Sequence, residues 1–104
     1  MLTTLTALAE PTRLRIVELL QSSPRYVGEI EKVLVLNQPQ VSKHLRVLRE
    51  AGLVESTVVA QRRLYELRRQ PFQEMAAWLE GYRRSWEGHL DALEAHLEQI
   101  GSDQ

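Results

Sequence analysis

The 104-residue chain contains no cysteine, which removes a disulfide framework, thiol catalysis, iron–sulfur ligation and a thiolate zinc site together. Its glycines, at 28, 52, 81, 88 and 101, are too scattered to cradle a phosphate or form a dinucleotide fingerprint. A Gly-x-Ser-x-Gly elbow and a His-Glu-x-x-His helix are both missing, so neither an enzyme nor a cofactor is expected. No apolar run approaches the about 20 residues of a membrane span, and Met1 to Ala9 is short and lacks the basic start of a signal peptide. These absences leave the expectation of a soluble, cytoplasmic protein, without membrane contact, that works by binding.

Charge is balanced in total and segregated along the chain. The net charge is −1, yet residues 1 to 70 hold 11 Lys and Arg against 7 Asp and Glu, and residues 71 to 104 hold 2 against 7. A basic front and an acidic back would orient the protein on a polyanion. An acidic helix that is merely solvated gives the same count. The length suits one domain over 1–104, able to bury roughly two thirds of its unfolded surface.

Asn37 to Val54 carries the most information. Asn37 is a preferred N-cap, Gln38 and Pro39 suit the first turn, and Gly52 stands where a left-handed stop is expected. At about 100° per residue Val41, Leu45 and Leu48 form one narrow apolar stripe. Pro39, Ser42, Lys43, Arg46 and Glu50 face away from it, with Gln40 on the flank. An ordinary amphipathic surface helix fits that pattern, and so does a helix that reads DNA; the neighbouring segments favour the second.

Upstream, Glu29 to Leu34 is a short helical segment a few residues away, which makes a helix-turn-helix pair. Downstream, Leu53 to Val59 and Arg63 to Leu67 are rich in β-branched or apolar residues around a short polar turn, a two-stranded wing. Leu2, Leu5 and Leu8 recur every three residues in a first helix that needs a partner. Pro11 opens a second helix whose Leu14, Ile16, Val17 and Leu20 face the core, and Ser22-Ser23-Pro24 ends it. Gln70-Pro71 separates the wing from a final helix near 71 to 100.

That final helix carries a heptad seam. Phe72, Leu79, Trp86, Leu93 and Ile100 are spaced seven apart, and Ala76, Leu90 and Leu97 fall four further on, interrupted by Arg83. About thirty residues span roughly 45 Å, too long for one small domain to cover. A second copy of the chain is the expected cover, against a helix that folds back on its own domain.

The blocks Leu8 to Val17, Gln38 to Leu45, Ala51 to Val54 and Arg62 to Tyr65 resemble, in order and spacing, the ArsR/SmtB family of bacterial winged helix-turn-helix repressors. The resemblance covers roughly residues 2 to 100. It implies a mainly α fold with a small β-hairpin wing, dimeric through its terminal helices, with 71–100 a long C-terminal dimerisation helix. The implied function is a regulator, a repressor, that binds a pseudo-palindromic operator in double-stranded DNA as a homodimer. Lys43 and Arg46 are then expected to reach bases or phosphates, Gln40 and Ser42 to read base edges, and Gln38 to anchor the N-terminus of the recognition helix. Arg62 and Arg63 are expected to clamp the backbone or minor groove from the wing. His44 matches a common family position, structural with one nitrogen donating to a phosphate. Leu2, Leu5, Leu79, Tyr82, Trp86, Leu90, Leu93 and Leu97 are the expected dimer residues. The rival reading is a winged-helix interaction module that docks a protein partner through the final helix.

Three positions depart from the family pattern. Val35 stands where the inter-helix turn usually carries glycine. The wing tip Val59-Ala60-Gln61-Arg62 lacks tight-turn residues, so a longer or looser wing is expected. The cysteine pair of arsenic-sensing members is absent. His89 and His96 lie seven apart beside the seam; two turns separate them by about 10 Å, so one ion cannot join them within a chain. Interchain ligation, a protonation-sensitive interface and plain seam packing stay open, and no metal is expected. Trp78, Tyr82 and Trp86 suit dimer core or a pocket for an unknown apolar effector.

Overall fold

In the computed structural model, which describes residues 1–102, the order is α1 (Leu2–Leu8), α2 (Pro11–Ser22), β1 (Arg25–Tyr26), α3 (Val27–Leu34), α4 (Gln38–Glu50), β2 (Val54–Val59), β3 (Arg62–Leu67) and α5 (Arg69–Ser102). Asp103 and Gln104, part of the expected 1–104 span, lie outside the described residues. Two compact units divide the chain, Met1–Gln73 and a second beginning at Glu74. The charge divides at the same place, because residues 71 to 73 carry none.

Side chains close the helix ends that the backbone leaves open. Glu10 is the N-cap of α2 and accepts from the Arg13 backbone N–H at 2.8 Å, with Pro11 in the first helical position. The Arg13 Nε donates to the Ala7 carbonyl at 2.6 Å, closing α1, and Arg15 Nη2 donates to the Leu34 carbonyl at 3.3 Å, closing α3. The chain leaves α4 through Gly52 at φ 78, with Gly52 N–H bonded to the Arg49 carbonyl and Leu53 N–H to the Leu48 carbonyl, both at 2.9 Å. This pair of bonds is the Schellman stop that the glycine predicted.

The core of the first unit lies among α1 to α4 and the sheet. Ile16, Val17, Ile30, Val41, Leu45, Leu48, Leu53 and Val54 are fully buried, and each contributes about 1.5–3 kcal/mol relative to exposure. The stripe read from α4, Val41, Leu45 and Leu48, is its buried face. On α2 the expectation is corrected: Ile16, Val17 and Leu20 are buried, but Leu14 is 41% exposed, about 60° round the helix from Val17 at the edge of the buried stripe.

The sheet has three strands rather than two, in the order β1-β3-β2, antiparallel throughout. Two residues are too few to show an alternating pattern, so β1 was not legible. Val59 pairs with Arg62, which leaves a two-residue turn with Ala60 at φ 48 and Gln61 at φ 66. A tight turn of the I′ kind thus replaces the expected loose wing, because hairpin twist selects positive φ at both central positions even without glycine. Val35 likewise takes the left-handed conformation, φ 56 and ψ 54, at the end of α3. Pro71 does not separate wing from helix: it lies in the first turn of α5, where a proline removes no intrahelical bond.

Candidate nucleic-acid interface

The turn from α3 into α4 is fixed at both sides. Leu36 N–H bonds the Glu31 carbonyl at 3.0 Å beyond the left-handed Val35, and Asn37 then caps α4. The Asn37 Oδ1 accepts from the Gln40 backbone N–H at 2.9 Å, while the Gln40 Oε1 accepts from the Asn37 N–H at 3.0 Å. This reciprocal box satisfies two otherwise open donors. It also engages one lone pair of the Gln40 amide oxygen and turns that oxygen toward the helix start, so its NH2 is the freer group.

The outward face of α4 is polar and cationic. Lys43 and Arg46 are exposed; Arg46 Nε lies 3.3 Å from Glu50 Oε1, an exposed i,i+4 pair worth little by itself. Gln38 Nε2 donates to Ser42 Oγ at 2.9 Å, so the expected anchor and one of the expected base-reading residues are joined along one side of the helix. Arg49, exposed as well, falls within about 60° of Arg46 at 100° per residue. It is a further cation of this face, beside the two expected from the sequence pattern.

His44 is turned elsewhere. Its side chain is 16% exposed and its Nδ1 stands 3.6 Å from Glu10 Oε2, with no hydrogen-bond partner. The Arg13 backbone N–H holds the Glu10 carboxyl below its ordinary value; burial opposes this, and the Thr12 N–H and the charges of His44 and Arg13 add to it. Of the expected contacts on α4, His44 is the one whose ring faces another helix.

On the wing, adjacent residues alternate faces. Arg63 shares a face with Tyr65, Val58 and Ser56 and donates to Ser56 Oγ at 3.3 Å. Arg62 is on the opposite face, its guanidinium carbon 3.8 Å from the centre of the Tyr26 ring. The two arginines are therefore not brought together.

In the second unit, Leu79, Tyr82, Trp86, Leu90, Leu93 and Leu97 are each at least half exposed, and Ile100 is 45% exposed. Trp78 and Tyr82 lie with ring centroids 5.5 Å apart and planes tilted by 36°, and Trp86 meets His89 edge-on at 6.4 Å. Arg83, which interrupts the seam, is bonded to Glu80 and to Glu87 at 2.6 Å each. In the first unit Leu2 is 77% exposed and Leu5 is half-buried. Among the described residues, no three metal-ligating side chains gather and no helix is long and apolar enough to cross a membrane.

A capped, outward-facing basic helix set on a helix-turn-helix and followed by a β-hairpin defines the winged helix-turn-helix class. The family pattern described as bacterial regulatory protein, arsR family, matches residues 10–56. The chain is 46% identical over 61 residues to the HTH-type transcriptional regulator Rv2034 of Mycobacterium tuberculosis, covering 59% of this chain and 57% of that protein. A crystal structure of a "possible transcriptional regulator for arsenical resistance" is 35% identical, with TM-score 0.69, over 79% of this chain and 85% of that one. The solution structure of the homodimeric winged helix-turn-helix DNA-binding domain Mb0332 of Mycobacterium bovis is 27% identical, with TM-score 0.63, over 81% and 78%. The chain belongs to the ArsR family of regulatory proteins. It spans about half the length of several of the curated relatives that it matches, Rv2034 among them, 47% to 58% of each.

Proposed function

We propose that the chain is a transcriptional regulator, a repressor, that binds a pseudo-palindromic operator as a homodimer, with 1–104 acting as one winged helix-turn-helix domain. The observation that carries this reading is the exposed face of α4, where Lys43, Arg46 and Arg49 project from a helix whose N-terminus is fixed by Asn37 and Gln40. A major groove about 12 Å wide admits such a helix. Lys43 and Arg46 reach phosphates or base edges, Gln38 and Ser42 act as a joined pair near the N-terminus, and Gln40 serves chiefly as a cap. Arg62 and Arg63 meet the backbone from different faces of the wing, and His44 supports α4 through Glu10.

The exposed seam of α5 supports pairing with a second copy, as in the homodimeric Mycobacterium bovis relative. Leu79, Tyr82, Trp86, Leu90, Leu93 and Leu97 then form the interface, with Leu2 and Leu5 from α1. DNA from upstream of the chain's own gene, titrated across a salt series, tests the reading. Affinity should fall steeply with salt, with a slope of about −0.9 per phosphate contact. A dimer that binds no DNA at low salt would favour the protein-docking alternative instead.

A further inference from the structure

Tyr26 belongs to no motif, yet it joins the two halves of the interface. Its backbone N–H donates to Glu29 Oε1 at 3.0 Å, which anchors it at the start of α3. As a residue of β1 it pairs with Leu64 of β3. Residues two apart on a strand share a face, so Arg62 lies on the same side as Leu64 and its guanidinium is centred over the Tyr26 ring at 3.8 Å. Arg62 follows directly on the strained Ala60-Gln61 turn and is otherwise exposed. A free arginine there would sample many rotamers and lose them on meeting a phosphate. The flat ring removes that freedom beforehand while leaving the charge in place.

We propose that Tyr26 is a positioning residue for nucleic-acid binding: stacked under Arg62, it presents that guanidinium to the DNA backbone and ties the wing to the first helix of the motif. The inference rests on the DNA-binding reading above. Tyr26→Leu removes the ring face and keeps the arginine charge, whereas Tyr26→Phe keeps both.

Two measurements on the full chain test it. In NMR spectra of the free protein, the side-chain protons of Arg62 should be shifted upfield by the ring in the parent and in Tyr26→Phe, and not in Tyr26→Leu. In DNA titrations, Tyr26→Leu should bind about two- to five-fold more weakly with the parental salt slope, and Tyr26→Phe should match the parent. Arg62→Ala should flatten the slope by about one contact, and adding Tyr26→Leu to it should weaken binding no further. A parent that binds DNA alongside a folded Tyr26→Leu of equal affinity would overturn the inference and leave the regulator reading standing. Equal weakening in the Arg62→Ala background would overturn it too, by showing that Tyr26 acts without Arg62. Failure of the parent to bind any DNA would sink both.

Discussion

Asn37 and Gln40 exchange two hydrogen bonds across the start of α4, at 2.9 and 3.0 Å, and so a glutamine on the flank of this helix is bound to its own helix. Asn37→Ala should cost about 1 kcal/mol of stability. Gln40→Ala should lower stability by less and leave base preference unchanged. Denaturant unfolding and a binding-site selection measure the two effects. A changed preference at one base pair in Gln40→Ala, without loss of stability, would assign this residue to readout instead.

Left-handed residues at two turns carry strain that substitution can relieve. Val35 is 86% exposed at φ 56, and a left-handed L-residue costs roughly 1–2 kcal/mol. Glycine gives back about 0.5–1 kcal/mol of that as chain entropy. Val35→Gly should therefore raise stability by about 0.5–1 kcal/mol, and Gln61→Gly should act in the same direction at the wing tip. Thermal unfolding reads both, and a lower midpoint in Val35→Gly would contradict the turn geometry.

Both turns also show where sequence pattern and structure part. The apolar stripe of α4, the stop at Gly52 and the helix of α5 were legible because each repeats a period or uses a residue with one special conformation. Val35 and Ala60 were not, since the chain enforces positive φ there through bonds of its neighbours, Leu36 to Glu31 and the pairing of Val59 with Arg62. Tyr26 and Glu10 were missed for a related reason: their partners, Arg62 and His44, lie more than thirty positions away, and no local spacing encodes such pairs. Leu14 shows the converse, an apolar residue whose identity suggested burial that its position on α2 denies.

Acid should act on Glu10. Its carboxyl lies below the ordinary value of 4.5 chiefly because the Arg13 N–H favours the charged form. A depressed folded value means that the contribution is complete above the ordinary value and is lost as pH falls through the lower, folded one. Stability of the parent should thus fall more steeply below pH 4.5 than that of Glu10→Gln. Parallel acid unfolding curves for the two would contradict this.

Assembly and DNA binding should fail together. Leu93→Glu places a charge in the apolar seam of α5, and burying it unpaired costs several kcal/mol. The dimer should dissociate in sedimentation, and operator affinity should collapse, because paired recognition helices must sit about 34 Å apart to meet both half-sites. Parental affinity in a monomeric Leu93→Glu would remove the dimer from the mechanism; an intact dimer would place the interface elsewhere.

Charge reversal on α4, compared with the same change in size and sign on α5, decides whether α4 is the helix that meets DNA. Operator affinity is measured across a salt series for Lys43→Glu and for Arg84→Glu, both at exposed positions. If α4 meets the DNA, Lys43→Glu should lose at least ten-fold in affinity, about 1.4 kcal/mol, and flatten the salt slope by about one contact or more, while Arg84→Glu stays near the parent. Equal affinities for Lys43→Glu and the parent, at matched folding and assembly, would contradict the assignment of α4 as the DNA-reading helix.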